Sequence, residues 1–220
     1  MKKLIFIYTF IFYSLATVAQ SWKPVKIDDS VQVSLPPGFK KTDTLGQTVI
    51  NASTSFGNIV ITKQPDNPVS TPDIEKVKHL NSYYDDFVKR ISSSSKGTVS
   101  NERDTLLGKL HVKDFTLEVD SGSGKQYRNI RILHENSATY SFQFLYKEIH
   151  GQYAKGESET FFNSIKIPPE ADVATQFTEP ENTNGKKPAG SMNLMLIGGG
   201  LLLVVIIVIS IIMRRRRRRI

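Results

Sequence analysis

The 220-residue chain contains no cysteine. This absence excludes disulfide bonds, a thiolate nucleophile and cysteine-ligated metal sites. It also excludes the lipid anchor of bacterial lipoproteins, which needs a cysteine at the cleavage point. Attachment to a membrane would therefore have to come from the polypeptide itself.

The local signatures of common catalytic sites are also missing. The sequence has neither His-Glu-x-x-His nor Gly-x-Ser-x-Gly, the motifs of zinc peptidases and of many serine hydrolases. Ser121 to Gly124 resembles a phosphate-binding loop only superficially, and it is typical of a hairpin turn. We therefore predict no catalytic residue, no cofactor-binding residue and no metal ligand. The four histidines are scattered along the chain: His79, His111, His134 and His150. A less favoured alternative is a metal site built from His111 and His134 with Asp114 or Glu118, if their strands are neighbours.

The basic excess is confined to the two ends of the chain. The formal net charge is +8, but Lys2, Lys3 and the six arginines 214–219 account for it. Between Gln20 and Ser191, basic and acidic residues are equal in number, at 21 each. The excess is therefore a topology signal, and a nucleic-acid partner is not expected.

The first residues predict a signal peptide over residues 1–19. Two lysines precede the apolar run Leu4 to Ala16, and small residues follow up to Ala19. This order of charge, apolar run and small residues is typical of secretory signals. An uncleaved N-terminal anchor is the alternative. Either form places the middle of the chain outside the cytoplasm.

The last residues predict a transmembrane helix over residues 192–213 and a cytoplasmic tail over residues 214–220. Met192 to Met213 is uncharged, and 22 helical residues reach about 33 Å, enough to cross a hydrocarbon core of roughly 30 Å. The following arginines should stay inside and can hold anionic lipid head groups. We expect a single-pass protein of a bacterial inner membrane with a periplasmic domain. A sorting signal cut by a protease is the alternative to a permanent anchor.

The residues between signal and anchor predict one α+β domain over residues 20–167 and a flexible linker over residues 168–191. The linker prediction rests on four prolines and few large apolar residues after Ile167. Within the domain, period-two patterning and short joints predict an antiparallel meander. The predicted strands are 25–27, 31–35, 48–55, 58–63, 98–106, 109–120, 125–134 and 138–147. The predicted helices are a first one that starts at Thr71-Pro72 and extends to about Ile91, and a second over 152–165.

Two strands carry unusual patterns. In the strand 109–120 the apolar residues change parity after Val112, and a β-bulge near Lys113-Asp114 would place them all on one core face. In the last strand an unbroken aromatic row is formed by Tyr140, Phe142, Phe144 and Tyr146. We interpret this row as core packing under a helix. A ligand-facing aromatic surface is the alternative.

Two segments carry a resemblance to a known family. Val31 to Phe39, which reads Val-Gln-Val-Ser-Leu-Pro-Pro-Gly-Phe, resembles the opening of PsbP-like domains and their bacterial DcrB-type relatives. Phe161 to Ile165, Phe-Phe-Asn-Ser-Ile, resembles the helix end that closes such domains. The resemblance covers most of residues 21–167 and implies an α/β/α sandwich with a non-catalytic accessory role at a membrane surface. The bacterial relatives are often lipid-anchored, so a transmembrane anchor is a departure, and no family binding residue maps onto this sequence.

Together these features predict a membrane-anchored, extracytoplasmic binding or assembly module. Its expected partners are membrane lipid, through the anchor and arginine tail, and another envelope protein. The alternative is an extracytoplasmic enzyme, of a hydrolase type, whose residues converge only in three dimensions. A concave pocket with several titratable groups in hydrogen-bond reach would favour the enzyme.

Overall fold

The computed structural model describes residues 22–178, except Leu45, Ser121 and Ser123. The predicted signal peptide 1–19, transmembrane helix 192–213 and tail 214–220 lie outside these residues. Among the helices of the described part, none has the length and apolar character needed to cross a bilayer.

The described residues form nine strands and two α-helices. The strands are β1 Lys23–Lys26, β2 Gln32–Leu35, β3 Lys40–Thr44, β4 Gln47–Ser53, β5 Gly57–Pro65, β6 Thr98–Leu107, β7 Leu110–Asp120, β8 Lys125–Glu135 and β9 Ala138–Lys147. The helices are α1 Val77–Ser95 and α2 Gly151–Asn163, and short 3₁₀ helices lie at Glu148–His150 and Val173–Gln176. Strands β3 to β9 make one antiparallel sheet in the order β3-β4-β5-β9-β8-β7-β6, and β1 pairs with β2 in a separate ribbon.

The central pair β5 and β9 defines two ends of the sheet. Gly57 faces Tyr146 at one end, and Pro65 faces Ala138 at the other. We name these the Gly57 end and the Pro65 end. Strand β5 is nine residues long, which corresponds to roughly 26 Å of extended chain between the two ends.

The sheet is covered on both faces, as the α/β/α resemblance implies. Helix α2 and the ribbon β1–β2 bury one core with the rings of Tyr140, Phe142 and Phe144. Helix α1 buries a second core on the opposite face, with Leu80 and Tyr84 among its fully buried residues. The interpretation of the aromatic row as core packing is therefore confirmed for these three rings.

The predicted β-bulge in β7 is wrong. The pairing of β7 with β8 is regular from Val112 to Asp120. Leu110 and Val112 belong to the α2 core, whereas Phe115 and Leu117 belong to the α1 core. The change of parity therefore marks a strand whose two faces enter two different cores. The register shift lies instead on the neighbouring edge strand β6, between Ser100 and Arg103.

The first helix begins later than predicted, at Val77 rather than near Thr71. The Thr71 hydroxyl accepts from the Asn67 N–H at 2.9 Å and so closes a turn instead of capping a helix. The backbone N–H and C=O of Ile74 are both bonded to Thr178. Because these groups are already paired, the chain around Ile74 cannot enter the helical ladder.

Strand β3 was absent from the predicted elements. Its sequence, Lys-Lys-Thr-Asp-Thr, is exposed at every position, so no apolar alternation signals a strand. It is an edge strand whose partner β4 supplies the buried residues.

The folded unit extends beyond Ile167, so the predicted start of the linker at residue 168 is too early. Residues 168–178, which we name the strap, cross the Pro65 end from the α2 core to the α1 core. Ala171 is buried in the first core, and Phe177 packs against the second. The Asn136 N–H donates to the Thr175 carbonyl at 2.8 Å, which ties the strap to the β8–β9 turn.

Candidate docking surface and buried polar network

An exposed aromatic patch lies at the Gly57 end. It consists of Phe56 in the β4–β5 turn, Ile149 and His150 in the 3₁₀ helix after β9, and Tyr153 in the first turn of α2. The rings of Phe56 and Tyr153 stack with centroids 5.0 Å apart, and the His150 ring centroid lies 6.1 Å from that of Phe56. Phe56 is 36% exposed, Tyr153 60% and Ile149 78%.

Glu157 of α2 fixes the turn that carries Phe56. Its carboxylate accepts hydrogen bonds from the Thr54 hydroxyl at 2.6 Å, the Ser55 N–H at 3.1 Å and the Phe56 N–H at 3.0 Å. Hydrogen bonds to an ionised acceptor are stronger than neutral ones. The ring of Phe56 is therefore presented on a backbone whose conformation is set before any partner binds.

Gly57 allows this turn to sit close to the sheet. A Cβ atom at this position would lie 2.6 Å from the Phe144 ring and 2.7 Å from the Leu145 carbonyl. The turn can therefore pack directly on β9 only with glycine. Exposed aromatic and aliphatic groups on a fixed backbone are characteristic of protein–protein contact sites.

The Pro65 end buries polar groups instead. His134 and Glu135, the last residues of β8, are both 0% exposed and point to opposite faces of the sheet. The His134 ring contacts the Gln176 carbonyl through Nδ1 at 2.8 Å and the Asp66 carboxylate through Nε2 at 3.0 Å. The Glu135 carboxyl oxygens have no hydrogen-bond partner among the described residues. Burial, helped by the nearby Asp28, raises the pKa of Glu135 to about 7.

Asp28 lies above this end, in the turn between β1 and β2. Its carboxylate forms an ion pair with Lys63 and accepts from the Tyr140 hydroxyl at 2.6 Å and from the Ser30 and Val31 N–H groups. Burial alone would raise the pKa of Asp28, but the bonds to Lys63, Tyr140 and Ser30 outweigh it and hold the pKa below its usual value. Burial and the same carboxylate raise the pKa of Tyr140.

A shallow depression of about 270 Å³ lies outside the Asp28 turn, between Lys26 and Lys166. The half-buried Asp28 carboxylate in its lining already has an ammonium, a hydroxyl and two N–H partners. A catalytic acid or base must instead be free to exchange a proton with a substrate. The Asp28 carboxylate is therefore engaged in structural bonds, and the other titratable residues that line the depression are Lys26, Asp29 and Lys166.

Two further charge clusters stabilise the sheet from within. The buried ammonium of Lys113 is surrounded by Asp85, Glu102 and Asp104, and despite burial these carboxylates raise its pKa. On the other face of β7, Asp114 accepts two hydrogen bonds from Arg131, at 2.7 and 2.8 Å. In both clusters the least exposed ion, Lys113 or Asp114, is paired with opposite charge, as buried ions require.

The structure separates the two carboxylates of the alternative metal site from its histidines. β7 and β8 are neighbours, and His134 faces the α1 layer with Tyr83 against its ring. Asp114, however, is bonded to Arg131 on the α2 face, and Glu118 is paired with Lys125. Within residues 22–178, apart from the three positions not described, no group of three potential metal ligands is arranged so that it could hold a metal ion.

The sequence interpretation missed the residues that matter most at both ends. Phe56 was assigned only to a turn, although a large ring next to a glycine in a turn could have suggested an exposed aromatic group. Gln176 was assigned to the linker, yet it is fully buried. No local signal identifies Gln176, because its partners His111 and His134 lie 65 and 42 positions away.

Neither the family models nor the curated proteins match this chain. Solved structures do show similarity. Cyanobacterial PsbP (CyanoP) from Synechocystis sp. PCC 6803 has a TM-score of 0.47 and 13% identity, over 70% of this chain and 96% of that one. The Ran-binding protein Mog1p of Saccharomyces cerevisiae has a TM-score of 0.41 and 8% identity, over 73% and 100%. A protein of Bacteroides thetaiotaomicron VPI-5482 has a TM-score of 0.37 and 12% identity, over 64% and 46%.

The PsbP match agrees with the resemblance predicted from the sequence. All three TM-scores are below 0.5, so the likeness assigns no function.

Proposed function

We propose that the chain is a membrane-anchored binding or assembly module that docks another protein of the cell envelope through the aromatic patch. The α+β domain would lie outside the cytoplasm, in the periplasm of a bacterial cell. The observation that carries the proposal is the position of the patch. It lies at the end of the sheet opposite to Thr178, the last described residue.

The direction of the chain supports this arrangement. The strap leaves the domain at the Pro65 end, where Thr178 is bonded to Ile74. The predicted span begins at Met192, so 13 residues from position 179 connect the two. A flexible linker of this length has an end-to-end distance of roughly 20 Å. With the Pro65 end towards the bilayer, the patch points away from it and towards proteins rather than lipid.

The chemistry of the patch supports a protein partner. Stacked rings and an exposed isoleucine supply the rigid aromatic and aliphatic anchors from which interface hot spots are built. The partner should therefore present a complementary apolar surface. By contrast, the charged groups of Asp28, Lys113 and Asp114 are each already engaged in ion pairs within the domain.

Site-specific photo-crosslinking in intact cells tests the docking surface. A photoreactive phenylalanine analogue is placed at Tyr153 in the full-length chain. A matched variant carries the analogue at Val69, which is 85% exposed at the Pro65 end. We expect one reproducible protein adduct from position 153 that is lost when Ile149→Asp is added. Equal adducts from both positions, or none from position 153, would contradict the docking surface.

Protease protection tests the membrane topology separately. We expect the domain to be digested once the outer envelope is permeabilised, and the tail after Met213 to stay protected until the cytoplasm is opened. The reverse pattern would overturn the extracytoplasmic placement while leaving the docking surface untouched. If a chain truncated before the predicted span is tested beside the full-length protein, it should end after Thr178. A chain that ends at Ile167 would lack residues 168–178, the strap.

A further inference from the structure

The strap is fastened to the sheet by one fully buried side chain. The Gln176 amide oxygen accepts from the His111 N–H at 2.7 Å. Its NH₂ group donates to the carbonyls of His111 at 2.8 Å and His134 at 2.9 Å. The amide therefore bridges β7 and β8 just past Val112 and Leu133, the last residues paired at that end.

The main chain of the same residue makes the contact that depends on protons. The Gln176 carbonyl can only accept, so Nδ1 of His134 must donate to it at 2.8 Å. Nε2 of the same ring faces the Asp66 carboxylate at 3.0 Å. A neutral imidazole carries one N–H and an ionised carboxylate carries none. Both hydrogen bonds form together only when the His134–Asp66 pair holds one proton more than a neutral imidazole and an ionised carboxylate hold together. We call this the additional proton.

Loss of that proton leaves two lone pairs in contact. If the remaining N–H points to Gln176, the bare Nε2 faces the Asp66 carboxylate. If it points to Asp66, the bare Nδ1 faces the Gln176 carbonyl. His134 is 0% exposed and the Asp66 side chain only 15%, so solvent has little access to either contact. An unsatisfied buried polar pair of this kind is costly.

The other groups around the ring do not compensate. Helix α1 contributes Tyr83, which meets the ring edge-on at 5.8 Å between centroids, and Tyr84, whose oxygen accepts from the His134 main-chain N–H. Burial raises the pKa of both tyrosines, so they stay neutral near pH 7. Strand β9 contributes Thr139, and His111 of β7 contributes main-chain groups to Gln176. Asp66 is therefore the charged group in hydrogen-bond contact with the ring.

We propose that His134 makes the strap a proton-dependent latch, closed when the His134–Asp66 pair holds the additional proton and released when the pair loses it. Release detaches residues 168–178 from the domain, so the folded part then ends at Ile167 instead of Thr178. The connection to a membrane anchor then grows from 13 to 24 residues, or by up to about 36 Å when extended. This effect on reach rests on the anchor of the proposed function, whereas the latch itself does not.

Two measurements on the full-length chain in detergent test the latch. With ¹⁵N-labelled histidine, both ring nitrogens of His134 should show imidazolium shifts in the folded protein at low pH. Hydrogen exchange then follows the amides of Thr178 and Asn136, whose bonds hold the strap. After correction for intrinsic exchange, protection should be about tenfold lower at high pH, where the pair has lost the additional proton, than at low pH, where the pair holds it.

Three variants decide the origin of the change. Asp66→Asn can donate to a neutral ring, so the strap should stay protected and lose its pH dependence. His79→Gln, on α1, and Glu135→Gln, on the opposite face, should both keep the dependence of the wild type. A flat wild-type profile, a singly protonated His134 ring at low pH, an unchanged profile in Asp66→Asn, or its loss in Glu135→Gln would each overturn the latch.

Discussion

The two ends of the sheet differ in what they bury. At the Gly57 end, the apolar side chains of Phe56, Ile149 and Tyr153 face solvent. At the Pro65 end, the polar side chains of His134, Glu135 and Gln176 are fully buried. Each arrangement opposes the usual partition of side chains between core and surface. One end therefore exposes aromatic and aliphatic side chains, whereas at the other the buried His134 and Gln176 are hydrogen-bonded. We propose a protein partner for the first end and a proton-dependent latch for the second.

The largest expected effect comes from removing the amide that fastens the strap. Gln176→Ala leaves the His111 N–H and the His134 carbonyl without their partner in a buried site. We expect a loss of about 4 kcal/mol in the free energy of unfolding, measured by urea denaturation. Gln152→Ala, at an exposed position of α2, should change it by less than about 0.5 kcal/mol. A similar result for both variants would mean that the Pro65 end is not held by the strap.

The next effect concerns the pH dependence of stability at the same end. The pKa of Glu135 is about 7 in the folded protein, against 4.5 for a free glutamate. The folded state therefore binds the proton more tightly, and its contribution to stability is complete below pH 4.5 and is lost as the pH rises through 7. Glu135→Gln mimics the protonated form, so it should be more stable than wild type at pH 8 by up to about 3 kcal/mol.

Urea denaturation at pH 4.5 and pH 8 measures this difference. Glu159→Gln, an exposed residue of α2, serves as the control and should show no such gain. If the free energies of Glu135→Gln and wild type differ by the same amount at both pH values, the buried carboxyl does not titrate as inferred.

The smallest expected effect on the free energy of unfolding concerns the β4–β5 turn at the Gly57 end. Glu157→Ala removes the acceptor of three hydrogen bonds in the turn that carries Phe56. The carboxylate is partly exposed, so we expect a loss of about 1–2 kcal/mol in the free energy of unfolding. Hydrogen exchange at Ser55 and Phe56 should rise with it. Tyr153→Ala should leave both quantities nearly unchanged, since its ring contributes mainly to the exposed surface.

Much of the architecture could be predicted because it rests on local patterns. The alternation in Ala138 to Lys147 and the short turn before it identify a hairpin of the sheet, and the 3.6-residue spacing of Leu80, Tyr84 and Val88 identifies a helix face. These signals come from residues a few positions apart. They were sufficient for the antiparallel order of β6 to β9 and for one helix before and one after these strands. The placement of the helices on both faces of the sheet was implied only by the family resemblance.

The remaining features depend on contacts between residues far apart in the chain, and such contacts produce no periodic pattern in the sequence. The strap reads as a linker because Pro168, Pro169 and the polar residues after them lack a large apolar pattern. It is ordered instead by partners 40 or more positions away, such as His134. Helix α1 starts late because Thr178 occupies the backbone of Ile74. The aromatic patch joins Phe56 to Tyr153, nearly a hundred residues later, through the fold alone.

The irregular edge strand β6 affects how copies of the protein can associate through their sheet edges. Its register shift between Ser100 and Arg103, with Asn101 at a φ of 54°, interrupts the row of free backbone groups on the outer side of the sheet. The opposite edge, β3, begins with two lysines. Kinks and charges of this kind prevent strands of neighbouring molecules from adding to one another. Both edges of the sheet therefore carry features that oppose strand addition between copies at high local concentration.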